Sequence, residues 1–238
     1  SLAALTTSQV TGLTATQAAG LTTAQVASMT VKQVTALTTV QVAALGTRQL
    51  AAFSSKQVAA IETEDLAMLS STQLATMTTT QIVSLATAQI LALTTDQIAG
   101  VTTAQMAAMS SKQVAALETE DLVLLSSEQL NAMKTTQIVA LSTDQIAGLT
   151  TEQVSSLTTS QIAVLTTAQI VALSTDQMVN LATLQVKALT TKQIAAIETE
   201  DIAAMLTTEL EVLTSKQVAV MTTAQVQALT TELVSVLT

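Results

Sequence analysis

Large apolar residues recur along the chain with an eight-residue period. They occupy Leu5, Leu13, Leu21, Met29, Leu37 and Leu45 and every eighth position on to Leu237, and a second apolar column runs through Val10, Val26, Val34, Val58, Leu66, Ile82 and Ile90. If the first column is position one of an octad, the second is position six. Position five is Gln except at Asp65, Asp121, Asp201, Glu209 and Leu233. Position three is Thr or Ser except at Ala15 and Val31, and position two is Thr or Ser in most octads. One unit, Leu21-Thr22-Thr23-Ala24-Gln25-Val26-Ala27-Ser28, stands for them all.

The period decides which elements form. In one continuous helix, position one would advance about 80° around the axis per octad and spiral off any single face. Within an octad the spacing suits a short helix: position six and the next position one are three apart and share a face. Upstream, Thr22-Thr23-Ala24-Gln25 fits the S/T-x-x-Q capping box. Each octad is therefore predicted to start a helix of about six residues, about 9 Å long. Position three keeps its hydroxyl more faithfully than position two, where Gly46, Glu62, Ala86, Lys134 and Leu206 intervene, which points to position three as the cap.

Such a helix is too short to stand alone. The predicted fold is all-α: a solenoid or superhelix in which each octad is stable only when stacked, with the Ala and Ser of positions seven and eight joining the core. The alternative is a β-solenoid favoured by Thr, Val and Ile; the Ala, Leu, Gln and Met content and the scarcity of corner Gly, Asn, Asp and Pro weigh against it. Two octads per coil would make an array on the order of 120–150 Å long and three about 80–100 Å; the pattern does not choose. Residues 1–238 read as one uninterrupted array, expected to be a fragment of a longer one.

Composition narrows the chemistry. The 238 residues hold no His, Cys, Pro, Trp or Tyr and one aromatic, Phe53, and the net charge is −9. Without imidazole, thiolate or phenol, most catalytic and metal-binding chemistries lack their groups. No catalytic, cofactor-binding or metal-ligating residue is expected, and the chain is read as not an enzyme. The acidic balance and the lack of stacking aromatics argue against nucleic acid. Thr and Gln interrupt every apolar run well short of a membrane span.

Three octads carry acidic clusters: Glu62-Thr63-Glu64-Asp65, Glu118-Thr119-Glu120-Asp121 and Glu198-Thr199-Glu200-Asp201. Hard oxygen ligands suit Ca²⁺, but no glycine-bearing calcium loop accompanies them, and acids in a first helical turn are ordinary. Lys56, Lys112 and Lys192 stand eight residues before Glu64, Glu120 and Glu200 and are expected to pair with them along the surface. The Thr pairs could in principle order water or bind glycan, whereas capping accounts for them without a ligand. The repeated Gln is expected to satisfy open backbone groups at each corner. Met29, Met77, Met109 and Met133 read as core filler. A block of seven octads is duplicated, so that Lys56–Asp65 and Thr79–Val83 recur as Lys112–Asp121 and Thr135–Val139.

The unit Leu-Thr-Thr-x-Gln-Val/Ile, as at Leu93–Ile98 and Leu165–Ile170, resembles the octapeptide arrays of very large repetitive bacterial proteins described as surface, adhesin-like or haem-utilisation proteins. That resemblance implies an extracellular or cell-surface setting. Its haem label has no support here, since no His, Cys or Tyr is present as an axial ligand. The expected role is a structural segment, an elongated spacer or scaffold. The alternative is a binding module that uses a solenoid face to engage protein, glycan, ice or mineral. End-to-end self-association is the other partner expectation.

Overall fold

In the computed structural model, which describes residues 2–235 and Leu237, every octad folds as foreseen into its own short helix. Among the described residues there are 29 α-helices of four to six residues, a single 3₁₀ turn at Leu2–Ala4, and no strand. The β-solenoid alternative is thereby set aside. Two compact units are present, Ser1–Leu125 and Ser126–Thr238, and both are built in the same way.

The start of each helix is fixed by position two, not position three. Thr22 has extended backbone (φ −72°, ψ 157°), and its hydroxyl accepts from the Gln25 N–H while the Gln25 Oε1 accepts from the Thr22 N–H at 2.8 Å. This reciprocal pair satisfies two of the donors that a helix start leaves open. Position three is the first helical residue. Octads that lack a position-two hydroxyl still begin correctly, because the Gln side chain performs half of the box alone: Gly46, Ala86 and Lys134 each donate a backbone N–H to the Oε1 of Gln49, Gln89 or Gln137.

Helices end without any left-handed residue, since no described residue has positive φ. In some octads position one turns extended directly, as at Leu45 (φ −64°, ψ 133°). In others position eight closes the helix in the right-handed region, as at Ser28. The corner therefore needs no glycine for its backbone. Gly100 answers to packing: a Cβ there would lie 2.7 Å from the Ser71 Cβ, closer than real side chains approach. Gly46 has ordinary extended dihedrals and space, with Gln49 Oε1 3.4 Å from a built Cβ. Gly46→Thr is expected to stabilise the protein by about 0.5–1 kcal/mol, from the new cap and the lost freedom of the unfolded chain. A higher thermal midpoint would show it; an unchanged or lower one would mean that the Gln half of the box leaves nothing for a hydroxyl to add.

Packing follows a rule of three. Within each unit helix Ala15–Ala19 packs on Thr39–Ala44, Thr23–Ala27 on Thr47–Ala52, and Thr159–Val164 on Thr183–Ala188. Axial neighbours are thus 24 residues apart, and one coil is three octads. The apolar columns fill the interior: Leu50, Leu74 and Ile98, on successive coils, are all completely buried at position six. Position-one residues such as Leu69 and Leu85 sit just beneath the corners and are also buried. Positions seven and eight contribute less than expected, position seven being mostly exposed and position eight half-buried. Position four faces solvent throughout.

Candidate functional site

The repeated glutamine is where the chain concentrates its polar chemistry, and each of its atoms has a task. Gln97 is buried; its Oε1 accepts from the Thr94 N–H at 2.8 Å, while its Nε2 donates to the Leu66 carbonyl one coil back, and to that of Leu69. Gln81 does the same with the Leu50 and Phe53 carbonyls at 2.8 and 2.7 Å. In the second unit Gln161 reaches Leu130 and Met133 at 2.8 and 2.9 Å, and Gln193 reaches Ile162 and Leu165, both at 2.8 Å. The acceptors lie 31 and 28 residues earlier, at positions six and one of the corner directly beneath. The position-six carbonyl already accepts from the position-one N–H of its own corner, as Ile162 O does from Leu165 N at 3.2 Å. At these corners the position-one carbonyl is thus closed by the next coil.

An amide of this length does both jobs whatever the pH. A carboxylate accepts but does not donate, and a shorter side chain spans less. Where acids stand at position five the pattern changes. Asp121 accepts from the Glu118 N–H at 3.3 Å, a lengthened version of the cap bond, and Asp201 instead accepts from the Thr175 hydroxyl at 2.7 Å. Burial pushes the Asp65 carboxyl above its ordinary value, with the Glu62 and Glu64 charges adding to the effect. Asp121 is raised by burial too, against a lowering by the Glu118 N–H and with further raising by Glu118 and Glu120. Glu209 is raised by burial, partly offset by the Leu206 N–H that donates to its Oε2 at 2.8 Å.

The acidic clusters are thereby divided between two environments. Glu62, Glu118 and Glu198 are the N-cap residues of their helices, with no side-chain cap bond, and Glu64 and Glu120 are exposed at position four. The Asp of each cluster is turned inward and buried. Among the described residues no three acidic side chains converge as a metal would require. Coils of three octads place Lys56 and Glu64 on successive sides of a coil instead of one above the other, because axial neighbours are 24 apart, and the expected pairing along the surface does not arise. The Thr hydroxyls of position two are spent on capping.

A groove of about 430 Å³ runs beside Ile197, Glu198, Glu200, Thr222 and Gln225. Gln225 and the Thr222 N–H are already bonded to one another, and Gln225 Nε2 donates to Ile194 and Ile197. A second depression, of about 360 Å³, is lined by Thr135, Thr136, Val139 and Val164. Val139 and its counterparts Val83, Leu91 and Val171 are large apolar side chains standing exposed at position seven, a feature not anticipated from the octad pattern. Their signal was present, as a departure from the Ala usual at that position. No described helix is long and apolar enough to cross a membrane.

Compared with curated proteins, the chain shows no significant match. A family model for the ALTTAQ repeat matches six overlapping segments, residues 58–95, 87–119, 114–151, 122–159, 151–191 and 194–231. The last five letters of that motif stand intact at Leu21–Gln25 and Leu165–Gln169; at Leu165–Gln169 they supply the position-one core residue, the cap, the first helical residue, the exposed position and the bridging amide, whereas Gln25 is exposed and only caps Thr22. Since the matched segments take in well over half of the chain, the protein belongs to the ALTTAQ repeat family.

Proposed function

We propose that this array is a non-enzymatic spacer, an extended scaffold segment of a large surface or secreted bacterial protein, as the octapeptide arrays it resembles suggest. The observation that carries the reading is the internal employment of the repeated polar residue: Gln81, Gln97, Gln161 and Gln193 each spend the amide oxygen on their own helix start and the amide nitrogen on the coil below. What is repeated most faithfully is what stacking needs. A stack that uses only nearest-neighbour contacts can be extended without a new core, which suits a part selected for reach.

Small-angle scattering on the 238-residue chain and on a version lengthened by three octads tests this. A rod profile is expected, with the maximum dimension growing by about one helix-packing distance, 8–10 Å, per added coil. A compact profile, or a lengthened chain with unchanged maximum dimension, would overturn the spacer reading. A second reading, a protein-binding face, is favoured by the exposed Val139 and the depression it shares with Val164.

A further inference from the structure

The bridging position needs a donor at its far end, and in the second unit the buried acids Asp201 and Glu209 lack it; Asp201 is engaged by the Thr175 hydroxyl. In the octad of the coil below and in the octad that follows, the rule is intact: Gln185 donates to Val154 and Leu157 at 3.0 and 2.7 Å, and Gln217 donates to Val186 and Leu189 at 3.0 and 2.8 Å. By the same register the corner beneath Glu209 is that of Met178 and Leu181. Glu209 is 3% exposed, has the length of Gln, and uses its Oε2 as Gln uses its Oε1, accepting from the Leu206 N–H at 2.8 Å. Its other oxygen takes the place of an NH₂ group. Ionised, that oxygen sets lone pairs toward carbonyl lone pairs; protonated, its O–H can donate to them.

We propose that Glu209 is a proton-operated tie between coils, which joins its helix to the Met178–Leu181 corner when protonated and releases it when ionised. The charged groups around it do not take over this role. Glu211 caps the C-terminal end of its helix, Asp176 and Lys187 lie on helices Thr175–Val179 and Thr183–Ala188 of the coil below, and Glu232 lies on Thr231–Ser235 of the coil above, all four exposed, while Asp201 of the preceding octad is buried and engaged by the Thr175 hydroxyl. Burial holds the Glu209 carboxyl above the ordinary glutamate value, as such an environment requires. The sign follows: with the folded-state value raised, the stabilisation is complete below the ordinary glutamate range and is lost as pH rises through the raised value. The tie to the Met178–Leu181 corner is therefore tighter in a mildly acidic medium than at neutrality. This inference is independent of the spacer reading.

The test compares Glu209→Gln with the parent chain by urea unfolding at about pH 4 and about pH 8, since a difference between variants cancels the titration of every other acid. Gln restores the residue that the neighbouring octads carry, so the variant is expected to fold. At the higher pH the variant should unfold at higher urea than the parent, and at the lower pH the two should coincide. Each unit of pKa elevation corresponds to about a tenfold change in the unfolding equilibrium. Equal differences for Glu209→Gln at both pH values, or none at either, would overturn the proposal. So would a carboxyl resonance of Glu209 in the parent chain that titrates at or below the ordinary glutamate value.

Discussion

Gln161→Leu is expected to destabilise the protein by about 2–4 kcal/mol, although leucine is close to glutamine in size and more apolar. The amide makes three backbone bonds: from the Thr158 N–H to its Oε1 at 2.9 Å, and from its Nε2 to the Leu130 and Met133 carbonyls at 2.8 and 2.9 Å. Leu130 O keeps the Met133 N–H as a partner. Thr158 N–H and Met133 O lose the partners that Gln161 supplies, and each stranded group costs about 1–3 kcal/mol, moderated where water reaches it. Gln9→Leu provides the contrast, because Gln9 caps Thr6 at 2.8 Å and is exposed; its loss should cost about 1 kcal/mol or less, the range for a cap alone. Denaturant unfolding, together with amide exchange at Thr158, measures both. Equal costs at the two sites would mean that the bonds between coils add nothing to capping.

Leu74→Ala should cost about 2–5 kcal/mol, the range for a fully buried leucine whose surroundings close only partly over the void. The more telling quantity is its coupling to other sites. Leu74 lies on helix Ser71–Ala75, which packs on Thr47–Ala52 in the coil below and on Thr95–Ala99 in the coil above, so Leu50 and Ile98 share its column. Leu74→Ala with Ile98→Ala is expected to deviate from additivity by about 0.5 kcal/mol or more, and Leu74→Ala with Val10→Ala to be additive within about 0.5 kcal/mol. A double-mutant cycle on unfolding midpoints decides it. Coupling as strong to Val10 as to Ile98 would argue against a stack held by nearest neighbours.

The sequence disclosed those features whose causes lie within eight residues. The octad helix was legible because its apolar pair, position six and the following position one, and its capping box are local. The number of octads per coil was hidden because it depends on a bond from Gln Nε2 to carbonyls 28 and 31 residues earlier, and every corner offers the same two carbonyls. The cap was misplaced by one residue for a related reason. Position two tolerates Gly46, Ala86 and Lys134 because the Gln oxygen can hold the N–H alone, so the frequency of hydroxyls understated the importance of that position. The inward turn of Asp65, Asp121 and Asp201 was equally concealed: the acids of each cluster read as one charged run until the helix divides them between surface and interior.

Three octads to a coil also bears on how such a gene can lengthen. The duplicated block is seven octads, two whole coils and one octad over, so the copy of the Lys56–Asp65 segment at Lys112–Asp121 lies one side further around the first unit than its parent. That offset is harmless because no side is privileged. Wherever a glutamine comes to rest, the corner beneath it offers the same pair of carbonyls. Recombination between misaligned repeats therefore need not respect the coil; an insertion or loss of a whole number of octads, in steps of eight codons, still sets each glutamine over a corner with the same pair of carbonyls.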